Sequence, residues 1–286
     1  RVRAGRGVCK DGQSVNIDLT HLDPEIILTR LPELRELAIA FQGQGMLKEP
    51  IHISATAHYS MGGIPTNIDC EVRKSPTDLT EGFYAAGECS CVSVHGANRL
   101  GANSVLEALL FGRHAGENMV KKLDEGIELR KATPVDADRM LAEMEKLKTS
   151  NGNETVPGLR EELQNGMTKN AGVFRTKESL EEQLALIDEL LGRYNNIRID
   201  DKSNTFNTDL QEAIELGHML EFSKFIVDGA INREESRGGH FREDFPTRDD
   251  KNFWKHTYAY MDKDFNMTHE WGEVVLGKFE PKERTY

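Results

Sequence analysis

Residues 95–112 read HGANRLGANSVLEALLFG, and the helix that starts inside this stretch decides how the chain around it folds. Ser104-x-x-Glu107 has the spacing of a capping box, in which the Ser and Glu side chains satisfy each other's free backbone N–H groups. Val105, Leu106, Leu109 and Leu110 follow at helical spacing, which predicts a helix beginning at or next to Ser104. Its first turn carries unpaired N–H groups and the positive end of the helix dipole, a ready site for an anion or an electron-rich ligand atom. Gly96, Gly101 and Ala102 remove side-chain bulk just ahead of it, so a planar ligand can approach the backbone. Arg99 lies in the same loop, where a guanidinium can grip a carboxylate through two parallel hydrogen bonds. The same residues also describe an ordinary capped helix whose arginine makes a surface ion pair.

Outward from this point the chain divides into four stretches. Residues 1–53 hold an alternating segment, SVNIDLTHL, and a helix predicted after Asp23-Pro24, where Asp caps and Pro occupies the first helical position. Residues 54–118 are rich in glycine and include GFYAAGE, a short buried-strand pattern ending at Glu88. From 119 to 232 the pattern is helical: Leu180, Leu184, Ile187, Leu191 and Tyr194 recur at three- to four-residue spacing, as do Leu210, Ile214 and Gly217. Within it KTSNGNETVPG, 148–158, reads as a surface loop. Residues 233–286 are charged and aromatic, and RDDKNFWKHTYAY followed by HEWGEVVL predicts paired strands.

Composition narrows the chemistry. The chain has 286 residues, 38% of them hydrophobic, enough for a substantial core. Its formal charge of −12 argues against nucleic acid as a general partner, because phosphate binding needs a positive surface. An anionic small substrate stays open, since one arginine can dominate a cleft whatever the net charge. Cys9, Cys70, Cys89 and Cys91 are too few and too scattered for a disulfide framework, which fits a reducing compartment. Cys89-Ser90-Cys91 lacks zinc-ligand spacing, so no metal site is expected. No apolar run approaches the roughly 18 residues that cross a bilayer.

TAHYSMGGIPTN, 56–67, then GFYAAGECS, 82–90, then HGANRLGANS, 95–104, resemble in order and spacing the flavoprotein subunit of succinate dehydrogenase and fumarate reductase. FNTDLQEAIELGHML, REESRGGHFREDFPTRDDKNFWKHT and the terminal ERTY are similar to the helical and C-terminal regions of those subunits. L-Aspartate oxidase shares the His-Tyr and His-Gly-Ala-Asn-Arg motifs, but it typically has Met-Ala after the arginine and lacks the RDDKNFWKHT segment at 248–257.

The resemblance implies an α+β, multi-domain fragment. Residues 1–53 would be the remainder of a capping domain and 54–118 the C-terminal part of an FAD-binding α/β domain. Residues 119–232 would form a helical domain and 233–286 a small C-terminal α+β domain. It implies that His58 and Arg99 hold a dicarboxylate, and that Tyr59, Glu88, Ser104 and Val105 lie at FAD-contacting positions. It places the Gly-x-Gly-x-x-Gly turn, the flavin-attachment histidine and the proton-transferring arginine upstream, so no catalytic residue is expected within these residues. It further implies an iron–sulfur subunit, membrane-anchor subunits met indirectly, and a peripheral location on the cytoplasmic face of an inner membrane or the mitochondrial matrix side. The alternatives are an L-aspartate oxidase-like flavoenzyme, or an inert assembly fragment if the piece exists alone. His240 and His256, with Arg237, Arg242 and Arg248, can be read as contacts for the iron–sulfur partner. Internal ion pairs with Asp244, Asp249 and Asp250 are the favoured reading. Trp254 and Trp271 are expected in core or sheet packing, and Cys89 and Cys91 are expected to be inert.

Overall fold

The computed structural model describes residues 2–10, 12–127 and 133–278, so the terminal ERTY lies outside the described residues. The chain forms two compact units, residues 1–58 and 59–286.

In the first unit β1 (Val15–Ile17) pairs antiparallel with β2 (Ile51–Ile53), Val15 opposite Ile53 and Ile17 opposite Ile51. Between them run α1 (Pro24–Arg30) and α2 (Pro32–Gln42). Asp23 accepts from the Glu25 N–H at 2.9 Å and Pro24 opens α1, as the Asp-Pro pair predicts. Pro32 has no N–H to continue α1, so the chain breaks at Leu31 and a new helix starts. Ile27, Ala38, Met46 and Ile51 form the small core, and the Gln42 side chain bonds both backbone groups of His52 to tie α2 to β2.

The second unit begins with short pairings. β3 (Ile64–Pro65) lies parallel to β6 (Ser90–Cys91), and β4 (Glu71–Arg73) lies antiparallel to β5 (Leu79–Tyr84). The buried strand expected to run to Glu88 is corrected: β5 ends at Tyr84 with Glu81, Gly82 and Phe83 exposed. Burial comes only afterwards, at Ala85 and Gly87, where Ala85 N–H bonds Cys70 O and the chain turns toward β6. Helix α3 (Asn103–Asp124) runs unbroken across residue 118.

The main core sits where α5 (Val156–Asn170), α6 (Lys177–Tyr194) and α7 (Thr208–Asn232) pack, preceded by α4 (Pro134–Lys148). Leu180, Ile187 and Leu190 of α6 and Ala213, Leu216, Leu220 and Val227 of α7 are fully buried. Leu191, read from the spacing, only flanks this core. Residues 148–158 are not a plain surface loop. Gly152 and Glu154 N–H bond the carbonyls of Ile197 and Asn196, and Thr155 Oγ1 caps α5, whose first residue, Val156, is already buried. The span satisfies its backbone by pairing, and the Val-Pro-Gly that looked like turn chemistry is the first helical turn.

Beyond α7 come α8 (Asp250–Phe253) and the expected antiparallel hairpin, β7 (Lys255–Met261) with β8 (Met267–Glu273), Lys255 opposite Glu273. The chain between α7 and α8 is held by charge. Arg242, fully buried, makes two bonds to Asp244 at 2.8 and 2.7 Å and donates to Ala230 and Ile231 carbonyls at the end of α7. Glu235, also fully buried, accepts from Arg233, Arg237 and the Asp249 N–H. Arg237 and Arg248 both reach Asp250. The three arginines therefore form internal ion pairs with Asp244 and Asp250, whereas Asp249 caps α8 by accepting from Asn252. Trp271 falls in sheet packing rather than in the core: it is 39% exposed on β8 opposite Thr257, with the Phe253 ring 6.0 Å away and Lys255 Nζ 4.1 Å from its ring centroid.

Two glycines of α7 make opposite predictions. A Cβ at Gly217 would lie 2.8 Å from the Tyr194 hydroxyl, which is fixed by donation to Ala213 O at 2.8 Å, so Gly217→Ala should overpack. Nothing lies within 4 Å of the Cβ position at Gly229, so Gly229→Ala should gain about 0.5–1 kcal/mol from helix propensity. Thermal melts should show the first variant less stable by about 1–3 kcal/mol and the second more stable; equal shifts would contradict the packing.

The ion pair predicts an acid limb. Hydrogen bonds from Arg242 depress the Asp244 carboxyl from 3.8 to about 2, so its stabilisation is complete above 3.8 and is lost as pH falls toward 2. Asp244→Asn should destabilise at neutral pH by about 3–5 kcal/mol, because it strands a buried guanidinium. Unfolding midpoints should also fall less steeply with acid in this variant than in the parent, and parallel acid profiles would count against the pair.

Candidate functional site

Arg99 is positioned by the loop before α3. Ala102, at φ 65, is the N-cap and supplies no side-chain cap, so the capping box read from Ser104 and Glu107 does not form. Glu107 instead turns inward. Its side chain is 4% exposed, and its Oε2 accepts from the Tyr59 hydroxyl at 2.5 Å and pairs with His95 Nε2 at 2.7 Å. The apolar face expected to cover the core is outward: Val105, Leu106, Leu109 and Leu110 are each more than half exposed. Two side-chain donors thus take the place of the backbone cap, and the carboxylate rather than the apolar stripe faces inward.

Tyr59 stands at the centre. Its ring meets His95 edge-on at 5.5 Å between centroids, and the Arg99 guanidinium carbon sits 4.7 Å from its ring centroid. Burial first, then the Glu107 hydrogen bond, pushes the Tyr59 phenol up to about 12. Arg99 Nη1 donates to Leu100 O at 3.2 Å, while its Nε is buried without a partner. Among the described residues no carboxylate comes within ion-pair distance of Arg99, so the surface-ion-pair alternative is not what the structure contains.

Of the residues singled out from the sequence, the structure brings Tyr59 and Arg99 into contact. His58 is exposed and ends the first unit. Glu88 is exposed and accepts from the Ser60 N–H at 3.1 Å. Ser104 and Val105 lie in the first turn of α3, Val105 being 67% exposed. His95 and Glu107 were not read as site residues. Their signal was hidden because a Ser-x-x-Glu spacing has a local explanation, and because Tyr59 lies 48 residues away from Glu107.

Close backbone approaches hold this region together. Gly63, at φ 110, brings the Met-Gly-Gly turn so near that a Cβ would sit 2.5 Å from Cys89 O, and Ile64 N–H bonds that same oxygen. Gly238, at φ 59, lies against the Arg99 loop: a Cβ there would be 2.5 Å from Ala97 O, which accepts from the Gly239 N–H at 2.9 Å. His240 anchors that glycine loop, with Arg175 donating to its Nδ1 at 3.1 Å and its Nε2 donating to Arg233 O at 2.9 Å. Burial lowers its pKa, in keeping with a neutral ring that accepts on one nitrogen and donates on the other. His256 Nε2 pairs with Ser93 Oγ at 2.7 Å, tying β7 to the same region. Burial raises the Cys91 thiol, which disfavours its reactive thiolate.

The residues present fit a flavin. The first turn of α3 has no side-chain cap, Val105 and Leu106 offer an uncovered apolar surface, and nothing stands within 4 Å of the Cβ position at Gly101.

Comparison with known proteins agrees on the class. Residues 2–105 match the family described as FAD binding domain, and residues 160–286 match the one described as fumarate reductase flavoprotein C-term. The chain is 40% identical over 279 residues to the succinate dehydrogenase flavoprotein subunit of Rickettsia conorii, covering 96% of this chain and 46% of that protein. It is 41% identical over 289 residues to the fumarate reductase flavoprotein subunit of a Serratia species, covering 99% and 47%. A solved variant of E. coli quinol fumarate reductase superposes with a TM-score of 0.90 at 38% identity, covering 98% of this chain and 48% of that one. The site thus belongs to an FAD-dependent flavoprotein. The chain is a member of the succinate dehydrogenase and fumarate reductase flavoprotein family, and it spans about half the length of the curated relatives it matches.

Gly238 tests the backing of the Arg99 loop. Gly238→Ala should destabilise by about 1–3 kcal/mol, from a left-handed φ combined with a clash against a backbone oxygen. An unchanged melting temperature would show that the two loops do not bear on one another.

Proposed function

We propose that this chain supplies the carboxylate grip and part of the flavin contact of an enzyme that interconverts succinate and fumarate. The observation that carries the reading is Arg99, stacked on Tyr59, with a buried unpaired Nε and no carboxylate of the described residues in ion-pair range. A guanidinium so held is prepared for an external carboxylate, which it can bind through two parallel hydrogen bonds. By the family resemblance His58 is the second substrate contact, donating to another oxygen of the dicarboxylate.

Tyr59, Glu88, Ser104 and Val105 are proposed as the flavin contacts. The uncapped N–H groups at the start of α3, with its positive dipole end, favour the electron-rich edge of the isoalloxazine. FAD, when bound, supplies the hydride acceptor or donor at its N5. Electrons are proposed to pass to or from an iron–sulfur subunit, with membrane-anchor subunits met indirectly. The whole would lie at a membrane surface, on the cytoplasmic face of an inner membrane or the mitochondrial matrix side. No helix among the described residues is long and apolar enough to cross a bilayer. The four-part division at residues 53, 118 and 232 is proposed with this reading.

In the FAD-loaded protein that contains this chain, Arg99→Lys should lower kcat/KM for succinate by about 10- to 100-fold, because an ammonium cannot reproduce a two-point grip. Near-normal kinetics would remove Arg99 from the substrate site. Faster turnover of aspartate than of succinate would replace the reading with an amino-acid oxidase.

A further inference from the structure

Glu107 remains unexplained by substrate or flavin contact. Its carboxylate is withdrawn from water, at 4% side-chain exposure, where an ion is costly unless donors surround it. The two donors come from separate segments: Tyr59 from the turn that leads into β3, and His95 from the loop that carries Arg99. The carboxylate therefore fixes the Tyr59 ring from one side while Arg99 stacks on its face at 4.7 Å. Donation from the phenol to an anion also places more negative charge on the ring, which strengthens its attraction for the guanidinium.

We propose that Glu107 is a positioning residue for the dicarboxylate site: it holds the Tyr59 ring and the His95 loop so that Arg99 presents its guanidinium to substrate, without itself touching substrate. This rests on the reading of Arg99 as the carboxylate grip. The phenol, raised to about 12, remains a protonated donor across the working pH range, so the arrangement holds throughout it.

The test uses the FAD-loaded protein containing this chain, with fumarate affinity read from the perturbation of the flavin absorbance spectrum. Flavin content is measured on the same samples. Glu107→Gln and Tyr59→Phe should each weaken fumarate binding by about 3- to 10-fold, part of the roughly 30-fold that a whole desolvated cation–π contact is worth, because each variant keeps the ring and loses only what orients it. The double variant should be no weaker than the worse single one, because both act through one contact. In Glu107→Gln the phenol should also titrate below about 12, seen as the tyrosinate absorbance missing from Tyr59→Phe. A purely structural role would lower melting temperature and leave fumarate affinity and additivity untouched, which would overturn the proposal. If Glu107→Gln fails to fold, Tyr59→Phe, which keeps the ring, decides alone: unchanged affinity overturns it and weakened affinity supports it. Arg99→Gln separates the two readings. Lost affinity there with unchanged affinity in the other variants sinks only the role of Glu107, whereas unchanged affinity in Arg99→Gln sinks the dicarboxylate site itself.

Discussion

A carboxylate that has lost its water must be given other donors, and the site of this protein is organised around how Glu107 finds them. Tyr59 and His95 converge on one of its oxygens, and that convergence fixes the inward face of α3. The rest follows by contact. The Tyr59 ring is oriented, Arg99 stacks on it, and the apolar side chains of α3 are left facing outward. A helix with its carboxylate inside and its leucines outside has low cost only when its outward face serves a ligand or a partner.

Stability reaches this site from the helical core through a few polar joints. Helices α5, α6 and α7 bury the main apolar cluster, and α7 ends where the Arg242 guanidinium takes its last carbonyls. From there the chain passes through Glu235 and His240 to the paired glycines at 238 and 239, which rest against the backbone of Ala97. Each joint is a buried charge or ring with its partners satisfied, and such joints fix geometry more than they add stability. Arg99 sits two residues beyond Ala97, so the loop that presents it is supported from behind.

Much of the fold was legible because its signals are local. Asp23-Pro24, the three- to four-residue apolar spacing of α6 and α7, and the aromatic pattern of the β7–β8 hairpin each specify an element through near neighbours. The misreadings have separate causes. Ser104-x-x-Glu107 has a local use that the tertiary structure overrides, the Val-Pro-Gly at 156–158 begins a helix because Thr155 caps it, and the burial after Tyr84 falls at Ala85 and Gly87, past the end of the strand, where Ala85 bonds Cys70. Motif resemblance gave the position of Arg99 but not its environment, since stacking on a tyrosine 40 residues earlier leaves no periodic trace.

The central claim is that Arg99 is held ready for a substrate carboxylate. It is tested most directly by a structure of the FAD-loaded protein with fumarate bound. The account predicts two guanidinium nitrogens of Arg99 within about 2.7–2.9 Å of one carboxylate, the geometry of a charge-assisted fork, with the ring of Tyr59 still beneath the guanidinium. Fumarate bound elsewhere, or an Arg99 side chain turned away from it onto a protein carboxylate, would contradict the account.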